Sequence, residues 1–222
     1  MKTLSYIKYF FFLFINWDVK IAWYMIKQEI KGEKKYGINT TGADELHNLE
    51  KQGIDISHAT IYMPVSYSLL EDLFEQLPAT IRNHFLDLGS GKGRALCVAA
   101  HKGFKQVTGL DFSKTLCHTA TENLTKTKEQ VLTFNFKVIN NDAFYFDIPD
   151  DVDCIFLFNP FDEIIMSAVV NNICNSLQNN PRKISIIYVN PLHKELFLKA
   201  GYTEIWHSKK MKYIEAVILE TV

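Results

Sequence analysis

Three glycines at alternate positions follow a short apolar segment. The segment Phe85-Leu86-Asp87-Leu88 is followed by Gly89-Ser90-Gly91-Lys92-Gly93. Because glycine has no Cβ, such a turn lets the backbone approach a ligand, and the helix that it opens favours negative charge at its N-terminus. Arg94 stands where the dinucleotide fingerprint GxGxxG has its last glycine. The GxGxG spacing therefore disfavours a nicotinamide dinucleotide.

Carboxylates follow the next apolar segments. Asp111 ends the segment 107–111, where Rossmann-type sites place an acidic residue that accepts hydrogen bonds from ribose hydroxyls. Asp142 follows the third segment within Asn140-Asn141-Asp142-Ala143. Each carboxylate also has a structural interpretation: Asp111 as the N-cap of the next helix, and Asn-Asn-Asp as an ordinary turn.

The fourth apolar segment leads into Asn159-Pro160-Phe161. Open α/β proteins bind ligands at the carboxyl ends of their strands, so this turn is expected beside the ligand. An amide oxygen can orient an amine, and an aromatic ring can exclude water. The alternative is a turn in which Asn159 caps a helix and Pro160 ends the strand.

Together these segments resemble class I S-adenosylmethionine (SAM) dependent methyltransferases, whose first motif is similar to residues 85–94. The resemblance implies SAM as the cofactor. The residues implied in its binding are Asp87, Gly89, Ser90, Gly91, Gly93, Asp111, Phe112, Asp142, Ala143 and Asn159.

The resemblance also implies a role for several of these residues. Asp87 would help to hold the methionine end of SAM, and Asp111 its ribose. Asp142 would accept a hydrogen bond from the adenine amino group, and the amide of Ala143 would meet a ring nitrogen. Phe112 covers an adenine face or belongs to the core.

Asn159-Pro160-Phe161 resembles the Asn/Asp-Pro-Pro-aromatic motif of methyltransferases that act on amino groups, with one proline instead of two. We therefore expect Asn159 and Phe161 to be catalytic, and the acceptor to be a protein or small-molecule amine. From about Tyr36 the chain is similar to bacterial methyltransferase-domain proteins of undefined substrate. The similarity includes Tyr62-Met63-Pro64 and Asn190-Pro191-Leu192-His193.

Two other functions are compatible with parts of this pattern. One is a binding module that holds SAM without transferring its methyl group. The other is a nicotinamide-dependent oxidoreductase, which the GxGxG spacing and the order of the last strands disfavour.

The elements that must position these residues alternate between strand and helix, as in a parallel sheet. Apolar runs predict strands at 84–88, 106–110, 133–139, 154–158 and 184–189. Helical spacing predicts helices at 66–76, 93–102, 113–126, 166–177 and 191–200. The segments 203–207 and 213–219 are too close for a crossover and form a hairpin. We therefore expect an α/β fold: a Rossmann-like, seven-stranded, mostly parallel sheet with a reversed last strand, helices on both faces, and an N-terminal helical extension.

The beginning of the chain imitates a signal peptide, because Lys2 and Lys8 precede the apolar run 9–15. No small-residue cleavage site follows, and Asp18 and Lys20 interrupt the run before it could span a bilayer. Asp18 also predicts a break in the helix near Trp17. We expect an extension over residues 1–42, with residues 4–30 packed on the domain or on a membrane surface, and a methyltransferase domain over residues 43–222.

Composition indicates which binding partners and which cellular location to expect. The 222 residues carry a formal net charge of -1, which gives no overall field to attract nucleic acid. The four cysteines lack CxxC spacing and the histidines lack metal-ligand spacing, so neither a disulfide framework nor a metal site is expected. The expected location is cytoplasmic, with peripheral membrane contact as an alternative.

Overall fold

The computed structural model describes residues 2–41, 64–78, 80–159, 161–210 and 214–221. The strands are β1 (His84–Leu88), β2 (Gln106–Asp111), β3 (Asn135–Asn140), β4 (Cys154–Phe158), β5 (Ser185–Val189), β6 (Tyr202–Lys210) and β7 (Ile214–Thr221). The helices are α1 (Lys2–Asn16), α2 (Val19–Tyr36), α3 (Tyr67–Gln76), α4 (Arg94–His101), α5 (Lys114–Gln130), α6 (Glu163–Asn179) and α7 (Lys194–Lys199).

The seven strands form one sheet in the order β3-β2-β1-β4-β5-β7-β6. Strands β1 to β5 pair in parallel, whereas β7 is antiparallel to both β5 and β6. The expected mostly parallel sheet with a reversed last strand is therefore confirmed. The reversed strand is inserted between β5 and β6 and is not at the edge of the sheet.

Helix ends differ from the predicted ones where a capping residue lies outside the apolar pattern. Helix α6 begins at Glu163 because the Asp162 side chain accepts a hydrogen bond from the Ile165 amide. Apolar spacing placed this start at residue 166. Helix α7 is shorter than the predicted 191–200, and covers Lys194–Lys199. Periodicity marks the buried face of a helix, whereas at α6 a capping hydrogen bond sets where the helix begins.

Two apolar cores fill the two faces of the sheet. Alternate β1 side chains enter them: Phe85 packs with α3, α4 and α5, and Leu86 packs with α6 and α7. Helices therefore cover both faces, as predicted. The carboxyl ends of the parallel strands meet at one edge of this layered structure, where ligands of open α/β sheets bind.

The first two helices form a hairpin, α1–α2, with its own small core of Tyr9, Leu13, Ala22, Met25 and Ile26. The predicted break near Trp17 is confirmed: α1 ends at Asn16, and the Asp18 side chain caps α2 by accepting from the Ile21 amide at 2.8 Å. No helix in the described ranges is long and apolar enough to cross a membrane.

Buried polar contacts join the hairpin to the rest of the chain. Arg94, at the start of α4, forms a bidentate pair with Glu29 of α2, and both side chains are almost fully buried. The Arg94 guanidinium lies 4.1 Å from the centre of the Tyr67 ring. A Cβ on Gly32 would clash with that ring, so glycine permits the close approach of α2 and α3. The predicted division at residues 42 and 43 lies at the edge of the undescribed segment 42–63 and stays a prediction.

Candidate cofactor and acceptor site

The glycine loop follows β1 and is hydrogen-bonded to the end of β2. The amides of Gly89 and Ser90 both donate to the Leu110 carbonyl at 2.9 Å. Gly93 has φ of 78°, and a Cβ there would lie 3.1 Å from Ala120 Cβ on α5. Glycine at this position therefore allows both the left-handed turn and the close packing of α4 against α5.

Asp111 lies at the end of β2 and is buried against the glycine loop. Its carboxylate accepts hydrogen bonds from the Gly91 amide at 2.8 Å and the Ser113 amide at 2.9 Å. The N-cap of α5 is Ser113, whose hydroxyl accepts from the Leu116 amide. Burial raises the pKa of Asp111 to about 6, although both amide hydrogen bonds lower it. The carboxylate therefore joins the loop to the next strand and is not the helix cap.

Asp87 is the second buried carboxylate of this edge. It lies in β1, paired in register with Gly109 of β2 and Phe156 of β4. Burial and, to a lesser extent, the charge of Asp111 raise its pKa well above the usual range. Buried carboxylates at adjacent strand ends suit a ligand that carries positive charge and hydroxyl donors.

The turn after β3 packs beside this pair. The Asn140 side chain donates to the carbonyls of Asp111 and Phe112, at 3.0 and 2.8 Å. Asp142 is exposed and accepts from the Phe144 amide, so it caps the short 3-10 turn Ala143–Tyr145, in which Ala143 is buried. Phe112 is half-buried. Asp142 thus has a turn-forming role, and its adenine contact stays a prediction.

Asn159 follows β4 with a left-handed backbone, φ 38°. Tyr188 of β5 donates to its side-chain oxygen at 3.4 Å. Phe161 is half-buried against the core under α6. Because Asp162 caps α6, the interpretation of Asn159 as that cap is wrong. Pro160 lies outside the described residues.

The turn after β5 repeats this conformation. Asn190 has φ of 50°, and its amide donates to the Glu215 carbonyl at 2.7 Å. Non-glycine residues in this region store backbone strain, which is common at functional sites, and asparagine tolerates it best. The Tyr188 hydroxyl accepts from the His193 amide at 3.3 Å, so Tyr188 connects the two turns. Burial raises the pKa of Tyr188 to about 12 and keeps it protonated.

Two of these residues were not identified from the sequence. Tyr188 has the pattern of a core strand residue, and Arg94 reads as one more residue of the loop. A cation at the start of an apolar helix indicates a buried partner for Arg94. That partner, Glu29, is 65 positions away, so the sequence does not identify it.

Within the ranges given above, no three His, Cys, Asp or Glu side chains are placed to hold a metal. Tyr62 and Met63 of the predicted entry segment lie outside those ranges.

Comparison with known proteins gives one family match and many similar folds. Residues 85–180 match the family described as "Methyltransferase domain". A proposed methylase from Haemophilus influenzae is 23% identical, with 70% of this chain and 97% of that chain covered and a TM-score of 0.53. A proposed methyltransferase from Escherichia coli is 18% identical, with 72% and 88% covered and a TM-score of 0.56.

A third solved structure is a SAM-dependent methyltransferase from Leishmania major, 15% identical, with 68% of this chain and 70% of that chain covered and a TM-score of 0.53. At these identities the solved structures establish the fold. No curated protein matches the chain. The family match spans the glycine loop, Asp111, Asp142 and Asn159.

Proposed function

Because the chain contains a class I SAM-dependent methyltransferase domain, we propose that it transfers the methyl group of SAM to the nitrogen of a protein or small-molecule amine. The observation that carries the cofactor half of this proposal is the buried pair Asp87 and Asp111 beside the glycine loop. SAM carries a sulfonium, an ammonium and two ribose hydroxyls, which are the charges and donors that two buried carboxylates need.

The residues around the glycine loop fit this cofactor. Asp111 is held by the Gly91 and Ser113 amides, so its carboxylate has a fixed position for the ribose hydroxyls. Asp87 faces the methionine end in our proposal. Asp142 and Ala143 receive the adenine, and Phe112 covers one of its faces.

The acceptor half rests on Asn159 and Phe161. SAM supplies a methyl carbon bound to a positively charged sulfur. An unprotonated amine attacks that carbon, the C–N bond forms while the C–S bond breaks, and the electron pair of the broken bond remains on sulfur. The methylated nitrogen then loses its proton to water. The Asn159 side-chain oxygen, held by Tyr188, orients the amine, and Phe161 excludes water.

The test uses purified full-length protein, methyl-labelled SAM and a cell extract that is separated into protein, RNA, lipid and small molecules. We expect label in the protein or small-molecule fraction, on nitrogen, and much less label with Asn159→Ala. SAM binding without label in any fraction would show a binding module in place of an enzyme. Label on RNA would contradict the proposed acceptor.

We also propose that the α1–α2 hairpin contacts an anionic membrane surface. An exposed apolar face supports this, formed by Leu4, Ile7, Phe11, Phe14, Ile15, Val19, Trp23 and Ile30. Phe10 joins the two helices across this face, with its ring 5.3 Å from that of Trp23. The exposed side chains Lys20, Lys27 and Lys31 give positive charge at its margin.

Vesicle flotation tests the contact. Full-length protein is expected to float with anionic vesicles, less with zwitterionic ones, and less again when Phe11 and Trp23 are changed to Ser. Both residues are exposed, so neither change leaves a cavity in the core. Protein that remains unbound on anionic vesicles contradicts the proposal.

A further inference from the structure

A cavity of about 410 Å³ lies between the α1–α2 hairpin and the sheet. The inner face of the hairpin contributes Leu13, Ile21 and Met25, and the sheet contributes Phe158 and Val189. Most of its lining is therefore apolar. Its volume is within the range of small-molecule sites, about 300–1,000 Å³.

The cavity adjoins the acceptor side of the site. Phe158 directly precedes Asn159, and Asn190 itself lines the cavity. Its described lining includes neither the glycine loop nor Asp87 and Asp111, so it is a space separate from the proposed cofactor position.

Polar groups occupy a minor part of the wall. Ser66, 3% exposed, has a hydroxyl oxygen that makes no hydrogen bond within the described part of the chain. A buried hydroxyl without a partner is costly, and a ligand can supply the partner. Glu215 is paired with Lys209 at 2.6 Å and with His207 at 3.0 Å. The Lys209 hydrogen bond holds the pKa of Glu215 below its usual range, so the carboxylate stays ionised.

We propose that this cavity binds the methyl acceptor, and that the acceptor is a small amphiphilic amine. Its hydrocarbon body lies between the hairpin and the ends of β4 and β5, and its amine lies at Asn159. The inference rests on the proposed function and narrows its substrate class. The apolar cavity wall argues for a hydrocarbon body, and Ser66 and Glu215, which also line it, offer hydrogen-bonding groups to a polar substituent of the same molecule.

The α1–α2 hairpin has two distinct faces. Met25 and Leu13 face the cavity, whereas Phe11 and Trp23 are exposed on the outside.

The experiment measures binding of an n-alkylamine series, from butylamine to dodecylamine, to the full-length protein saturated with S-adenosylhomocysteine. Calorimetry reads binding independently of turnover. Each added methylene should tighten binding by about fourfold until the cavity is full, with one molecule bound per chain. Methyl transfer from labelled SAM to the bound amine is measured in parallel.

Two substitutions from different walls locate the binding. Met25→Trp fills the cavity from the hairpin and Leu69→Phe fills it from α3, and each should weaken dodecylamine binding by tenfold or more. Ile30→Ala, on the outer face of α2, is the control and should leave binding unchanged. Unchanged affinity for S-adenosylhomocysteine shows that each variant is folded.

The outcomes separate the two proposals. Absence of a chain-length effect in the wild-type protein, or the same effect in both filled variants, overturns the amphiphile pocket while the methyltransferase proposal stands. Failure to bind S-adenosylhomocysteine overturns the proposed function itself. If one filled variant does not fold, the other and the wild-type series decide the question.

Discussion

The two halves of the candidate site are built differently. On the cofactor side, Asp87, Asp111 and the glycine loop come from consecutive strands and turns, and backbone amides hold the Asp111 carboxylate. On the acceptor side, Asn159 and Asn190 stand on strained turns, and the cavity beside them is closed by helices from the beginning of the chain. The proposed cofactor site is thus encoded locally, whereas the proposed acceptor site depends on contacts between distant segments.

The largest expected effect is on the stability of the protein, through the buried ion pair that joins the hairpin to α4. Arg94→Met leaves the carboxylate of Glu29 buried without its guanidinium partner, in a place where both side chains are almost fully buried. Breaking such a pair lowers the free energy of unfolding by about 3–5 kcal/mol. Urea denaturation measures it.

Lys102→Ala provides the matched control. Its pair with Glu75 is at the surface, with an N–O distance of 3.2 Å, and exposed pairs contribute about 0–1 kcal/mol. If Arg94→Met costs no more than Lys102→Ala, the hairpin is not held by this pair and the contrast between the halves loses its main support.

On the acceptor side, Asn159→Ala should lower kcat by about 10²-fold, on the scale of about 1.4 kcal/mol per tenfold, and spare SAM affinity. Phe161→Ala should raise the acceptor KM more than it lowers kcat, because an aromatic wall binds ground and transition states similarly. Steady-state kinetics with the acceptor found by labelling measures both. Wild-type turnover in Asn159→Ala would reduce Asn159 to a strand-ending turn and make Asn190, which lines the cavity, the next candidate for orienting the acceptor.

On the cofactor side, Asp111→Ala should weaken SAM binding by about 10- to 100-fold, because hydrogen bonds to a charged group contribute roughly 1.5–3 kcal/mol. Ser113→Ala is the control: loss of the α5 cap should lower stability by about 0.5–2 kcal/mol and leave SAM affinity unchanged. Calorimetry and thermal denaturation distinguish the two. An Asp111→Ala protein with normal affinity would show that the carboxylate only braces the loop.

The same contrast explains what the sequence could predict. One strand–turn–helix–strand segment contains the glycine spacing, Asp87 and Asp111. The apolar runs and glycines of that segment therefore predict where these residues and their strands lie. Glu29 and Arg94 meet across 65 positions, and no local pattern pairs them. Tyr188 lies in a strand whose residues are all buried, so the sequence indicates only a core position, and its hydroxyl contact with Asn159 depends on the register of β4 against β5. The cavity depends on how the hairpin docks, which periodicity does not report.

A smaller effect is expected from pH. Ribose hydroxyls donate to the ionised form of Asp111, whose pKa in the free protein is raised to about 6 by burial. The contribution of Asp111 to SAM affinity should therefore be level above pH 6 and fall as the pH drops through 6, by up to about tenfold per unit for one proton. Asp111→Asn should flatten this profile, and Asp87, whose pKa is also raised, should keep a residual slope. An unchanged profile in Asp111→Asn would assign the titration to another group.

Calorimetry of the purified full-length protein tests whether the buried carboxylates and the GxGxG loop form a SAM site. We expect saturable binding of SAM and S-adenosylhomocysteine at one site per chain, and no binding of NAD under the same conditions. Micromolar binding of NAD with no signal from SAM would contradict it.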